Sequence, residues 1–249
     1  MSGDDASRGG WSRIAFAASC IAIGLHALVT RGLAGVWGPV PRFIPLQPAL
    51  PWVVGAVMVA CGLGLPWMAT ARIAARVLLG WLVLWLLVAR LVEASMAPAV
   101  EGYWSGCGET LVLVAAAWIL ASPGLAPEAG SPAVARVLYG LALLPFGVAH
   151  FVYLQETISL VPAWLPWPRG WAVFVGVAYI AAALALLAGV RARLAAVLAA
   201  WQIGLLTALV WLPIDVSGHA GASAWSETVI SLALTAAACV IAGAMPRRA

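Results

Sequence analysis

Four side chains could exchange protons or hold a polar group within a largely apolar sequence: His26, Glu109, His150 and Glu227. Each histidine closes an apolar run that starts at an arginine, Arg13 before His26 and Arg136 before His150. A helical rise of about 1.5 Å per residue puts both imidazoles roughly 20 Å beyond those arginines. Glu109 and Glu227 open later apolar runs, which brings each to a similar depth. Imidazole and carboxylate at one level support several chemistries. The plainest is a hydrogen bond tying the first helix of each half to its last, with the acid also favoured by a helix N-terminus. A quinone-type site would use the histidine as donor to a ring carbonyl and the glutamate as proton acceptor, between aromatic walls such as Trp104 or Trp225. A b-type haem held by His26 and His150 is disfavoured, because both imidazoles would have to face one cavity from separate helices. Transport and partner binding stay open.

Other polar residues have simpler expectations. Arg90 and Glu93 stand three apart in one apolar run and face the same way, which predicts an internal ion pair. Asp215, His219 and Glu227 crowd one connection as a candidate mouth, but their loose spacing makes no metal-binding pattern, and no metal is expected. Gln202 within a span reads as an interhelical hydrogen bond and Glu156 as a solvated loop acid. Cys20, Cys61, Cys107 and Cys239 form no CxxC and read as small apolar fillers, with Cys107 the one nearest water.

The elements that position these groups follow from composition. The chain of 249 residues is 64% hydrophobic and 9% charged, with a mean hydropathy of +1.03. Such a sequence cannot bury its apolar surface in a water-soluble core, so it reads as an all-α membrane protein. Charge-poor runs near spanning length fall at 12–31, 50–70, 74–96, 107–122, 134–154, 170–190, 194–214 and 225–245. None alternates polar and apolar residues, which disfavours a β-barrel. All the basic residues are arginines, placed singly or in pairs at span ends, so they speak for topology and against nucleic acid. Arg8, Arg13, Arg72, Arg76, Arg136, Arg191, Arg193, Arg247 and Arg248 fall on one side of an eight-span path; Arg31, Arg42, Arg90 and Arg169 fall on the other. The positive-inside rule then predicts a plasma (inner) membrane protein with both termini cytoplasmic. The segment before the first span is polar and acidic without a cleavage pattern, so no removable signal peptide is expected. The Pro- and Trp-rich loops at 32–49 and 155–169 would lie outside, with Trp37, Trp164 and Trp167 in the interfacial belt.

The chain also reads as one unit written twice. Arg72 and Arg191, Trp81 and Trp201, Trp52 and Trp171, and Glu109 and Glu227 all recur at about 120 residues. An even number of spans per copy makes the copies parallel, two four-helix repeats about an axis along the membrane normal. The expected organisation is a tail at 1–11, a first repeat at 12–122, a linker at 123–133 and a second repeat at 134–245.

The second repeat carries Gly147-Val148-Ala149-His150-Phe151, then Val161-Pro162-Ala163-Trp164-Leu165-Pro166, and the turn Arg191-Ala192-Arg193. In these features it resembles the DoxX/DoxD-like family of small four-helix membrane proteins, and Gly24-Leu25-His26 and Pro39-Val40-Pro41 echo it in the first half. The resemblance implies a four-helix unit and, in some members, a subunit that passes electrons from sulfur compounds to quinone. On that basis the chain is expected to bind a quinone or another lipidic ligand beside a redox protein partner. The alternatives are a non-enzymatic scaffold or assembly factor docking through the Trp-rich loops, and a small-solute transporter. The sequence has no GxGxxG after a strand, P-loop, HExxH or nucleophile elbow, so any electrons must come from that partner.

Overall fold

The computed structural model describes residues 3–122, 131–217 and 221–246, with side chains from residue 10 onward except at 131 and 221–224. His219, most of the expected linker, Arg247 and Arg248 lie outside the described residues. Nine helices are used below: α1 Gly3–Thr30, α2 Leu50–Gly64, α3 Ala71–Met96, α4 Glu101–Ala121, α5 Ser131–Val152, the short α6 Leu154–Leu160, α7 Pro168–Ala188, α8 Ala192–Val216 and α9 Gly221–Ala244. All but α6 are long and apolar enough to cross a membrane, which gives eight spans among the described residues. The described residues contain no strand.

Successive spans run antiparallel, so the connections gather at two ends. One end carries the α1–α2, α3–α4 and α5–α7 connections, and every candidate polar group lies toward it. Around the bundle α1 packs on α2, α2 on α3, α3 on α4, α4 on α5, α5 on α7, α7 on α8, α8 on α9, and α9 back on α1. The ring is pinched where α4 meets α9. These two helices are the most enclosed spans, with 67% and 61% of their apolar windows buried. Both carry fully buried alanines, Ala115, Ala116 and Ala117 on α4 and Ala237 and Ala238 on α9. Small residues suit that place, because lipid supplies no hydrophobic drive and close backbone approach must supply the attraction instead.

Glycines make the tightest crossings. A Cβ on Gly24 of α1 would lie 2.8 Å from the Gly55 carbonyl oxygen of α2, and a Cβ on Gly147 of α5 would lie 2.9 Å from the Gly176 carbonyl oxygen of α7. Gly189, at φ 71°, ends α7 in the left-handed turn that favours glycine. There Arg136 donates to the Leu186 carbonyl and, at 3.0 Å, to that of Leu187, placing a cation on the negative end of α7. Both α3 and α8 contain a π-helical turn, at Leu86–Arg90 and Thr207–Trp211.

Three expectations change. The fourth span starts at Glu101, not at 107, because Glu101 supplies the acid of the first turn. Glu109 therefore sits beyond the second turn of α4, and Cys107 is buried while Cys239 is exposed. Trp37 is fully buried, whereas Trp164 and Trp167 are 68% and 77% exposed.

The glycine crossings yield a test. Gly147→Leu would drive a side chain into Ile180 and the α7 backbone, at a cost of about 1–3 kcal/mol. Its detergent-solubilised melting temperature should fall, whereas Gly80→Ala, where a Cβ meets nothing within 4 Å, should leave melting unchanged or raise it.

Candidate functional site

A cavity of about 860 Å³ is walled by α4, α5, α6, α7, α8 and α9. Its size is at the upper end for ligand sites. Glu109, His150 and Glu227 all line it, so three of the four residues singled out by type share one chamber. His26 does not line it. The histidine-bearing helices explain the split. In the ring α5 packs on α4, and α1 packs on α9, so each contacts the last span of the other half of the chain. In the second half α5 also touches α9, as a tie within that half requires, but His150 Nδ1 pairs with its own helix; a haem shared by His26 and His150 does not fit, because His26 lies off the cavity.

His150 is held by its own helix. Its Nδ1 lies 2.8 Å from the Phe146 carbonyl oxygen, and its ring packs on Tyr179 with centroids 5.6 Å apart. In the neutral ring Nδ1 carries the proton donated to that carbonyl, which leaves Nε2 as an acceptor. Glu109 is in electrostatic contact with Glu227, Arg90 and Glu101. Glu227 lies close to Gly35 of the α1–α2 connection, where an added Cβ would be 3.2 Å from its Oε1, and beside it Ser226 accepts a hydrogen bond from the Gly35 amide at 3.0 Å.

The aromatic walls differ from those expected. Neither Trp104 nor Trp225 lines the cavity; the Trp104 indole donates to the Pro98 carbonyl at 3.0 Å, tying down the start of α4. Phe146, Tyr153, Trp171, Phe174, Tyr179, Trp201 and Trp211 form the walls instead. Trp201 stood out in the sequence only as a landmark of the 120-residue spacing, and nothing there marked it as a wall. The π turn of α8 brings Leu209, Val210 and Trp211 to the cavity, and Thr207 at its start is hydrogen-bonded to Ser231 of α9 at 2.6 Å. Gln202 makes an interhelical bond, donating to the Val175 carbonyl at 3.1 Å. Glu156 is exposed on α6 and reaches the rim.

Phe174 and Trp201 are 60% and 66% exposed on the outside of the bundle while also lining the cavity. The wall between α7 and α8 thus meets the face that hydrocarbon would cover. A smaller cavity of about 330 Å³, lined by Arg90, Tyr103, Ser105 and Glu109 among others, adjoins the first, with Ser105 and Glu109 common to both.

In the first half the α1–α2 connection is drawn into the bundle beside the smaller cavity. Arg90, nearly fully buried, forms the expected pair with Glu93 at 3.5 Å. Its guanidinium also donates to the carbonyls of Gly35 and Gly38, which flank the turn carrying Trp37. Gly106 of α4 makes room for it, since a Cβ there would lie 2.9 Å from the guanidinium carbon. This clamp draws the loop inward and sets Trp37 against Trp85 and Trp81, at centroid distances of 5.6 and 6.1 Å. In the second half the connection stays at the surface, and the space beneath α6 is the cavity.

Protein-family models, curated proteins and solved structures offer no match to this chain. Among the described residues no group of three or more His, Cys, Asp and Glu side chains is arranged to hold a metal ion.

Arg90→Met would leave Glu93 without its partner and two loop carbonyls without a donor, a change that costs about 3–5 kcal/mol for a buried pair. Limited proteolysis should then cut within 31–49 and the melting temperature should drop. Arg90→Lys should rescue little, because an ammonium cannot span both carbonyls as the planar fork does.

Proposed function

We propose that this multi-pass membrane protein binds an amphipathic, lipid-soluble ligand of the quinone class in the cavity of its second half, reached from the bilayer between α7 and α8. The observation that carries the reading is an 860 Å³ chamber whose walls are mostly aromatic and aliphatic, with Glu109, His150 and Glu227 as its ionisable groups inside the bundle. An apolar body with a few convergent polar groups is the usual form of a small-molecule site. Exposed Phe174 and Trp201 make the hydrocarbon the natural route of access. In this reading Glu109 or Glu227 takes or returns a proton at a ligand oxygen, and His150 Nε2 accepts a hydrogen bond from a reduced ring hydroxyl. The chain is then a DoxX-like subunit, with electrons supplied by a separate redox protein.

The reading extends to the architecture. Two parallel four-helix repeats account for the matching glycine crossings at Gly24 and Gly55 and at Gly147 and Gly176. They also account for the π turns at Leu86–Arg90 and Thr207–Trp211, and for the reciprocal packing of α1 on α9 and α5 on α4. Arg13, Arg72, Arg76, Arg136, Arg191 and Arg193 gather at the end opposite the cavity. With positive charge retained inside, the termini are cytoplasmic, the membrane is the plasma (inner) membrane and the cavity belongs to the outer leaflet.

Solvent extraction of the protein purified in nanodiscs should release a quinone or a similarly amphipathic lipid, identified by mass spectrometry. A short-chain quinone should quench tryptophan fluorescence saturably. Ala178→Trp, which adds bulk to the cavity away from its ionisable groups, should weaken that binding by about tenfold or more. Quenching that never saturates, and is the same in the variant, would count against the site.

A further inference from the structure

The charged lining of the large cavity has one sign. Glu109, Glu156 and Glu227 line it, and no arginine does. Behind Glu227, and in electrostatic contact with it, stands Asp215, 7% exposed and with both carboxylate oxygens lacking a hydrogen-bond partner among the described residues. Among the described residues, the basic group in electrostatic contact with Glu109 is Arg90. Arg90 is already engaged by Glu93 and by the carbonyls of Gly35 and Gly38, and it faces the smaller cavity. His150 adds an acceptor, because its Nδ1 is occupied by the Phe146 carbonyl.

The walls suit the same kind of ligand. Aromatic faces attract cations through their quadrupoles, by about 2 kcal/mol or more once water is excluded. Trp171, Trp201 and Trp211 surround the chamber with the strongest such faces. Carboxylates at low dielectric without paired cations are costly to keep charged and tend to hold a proton instead, and a bound cation favours their charged form. An anionic lipid headgroup would disfavour it.

The geometry points to a lipophilic cation as the preferred occupant of this cavity: an apolar, ring-bearing or long-chain molecule with a positively charged nitrogen or phosphorus centre, held by Glu109 and Glu227 between the tryptophans. This assignment rests on the reading of the cavity as a ligand site reached from the membrane, and it puts a cation ahead of a neutral quinone as the occupant. A neutral quinone can still occupy the apolar volume, but it leaves the carboxylates without a counter-charge.

Two probes of nearly the same shape and opposite charge separate the possibilities. Binding of tetraphenylphosphonium, tetraphenylborate and a short-chain neutral quinone to the full chain in nanodiscs of uncharged lipid is measured by equilibrium dialysis, with empty nanodiscs subtracted. The phosphonium should bind at least about tenfold more tightly than the borate, and Glu227→Gln and Glu109→Gln should each lower its affinity by roughly tenfold. Ala178→Trp, which fills the cavity without touching its charge, should weaken phosphonium and quinone alike, and melting curves of the two glutamine variants should match that of the unchanged protein. Equal affinity for both ions, unaffected by either glutamine, with the quinone still bound saturably, overturns the charge preference and leaves the lipid-soluble ligand site standing. If none of the three probes binds saturably, the ligand site itself fails and the preference falls with it.

Discussion

Close backbone approach is the constraint on which this bundle depends. In a bilayer, apolar side chains gain nothing by leaving hydrocarbon for hydrocarbon, so helices must adhere through short-range contact. The alanine faces of α4 and α9 and the glycine crossings of α1 with α2 and α5 with α7 supply it. Phe146, Phe174 and Tyr179 stand within a few residues of the α5–α7 crossing at Gly147 and Gly176, and they line the cavity beside it together with Trp171 and Trp201.

Arg90 accounts for the difference between the chain's two halves. A buried guanidinium needs several acceptors, and α3 alone offers Glu93. The remaining donors reach across to the loop, and the backbone carbonyls of Gly35 and Gly38 satisfy them. That requirement brings Trp37 into the interior. No arginine lies at the π turn of α8, where the sequence reads Thr207-Ala208-Leu209-Val210-Trp211. The α5–α7 connection accordingly stays at the surface, with Trp167 exposed and Trp164 at the rim of the cavity.

The spans were readable because a long apolar run has one physical outcome in lipid, and the eight helices fall close to the runs that hydropathy marks. The start of α4 was not, since Glu101 and Ser105 break the apolar signal although they are hydrogen-bonded to one another at 2.7 Å inside the helix. Glu109, His150 and Glu227 were legible by type, because ionisable groups in spans need a reason to be there. Which of them meet was not legible. It depends on the closing of the ring, which seats each histidine helix against the far half. Trp37 was misplaced for a related reason: indole is equally at home at a membrane interface and in a protein interior, and only the partner across the loop decides. The walls of the cavity had no pattern of their own, since aromatic residues on a span look alike whether they face lipid or a chamber.

The paired π turns have a geometric consequence. Such a turn holds one more residue than an α-turn, so everything beyond it is rotated by about 100° around the helix axis relative to a continuous α-helix. In α3 the rotated segment is Leu91–Met96, which carries Glu93; in α8 it is Leu212–Val216, which carries Asp215. The stripe that packs inward on the lower part of each helix is therefore not continued by the residues a simple helical wheel would select above it. Two acids that such a wheel would assign by the lower register are aimed by a single inserted residue.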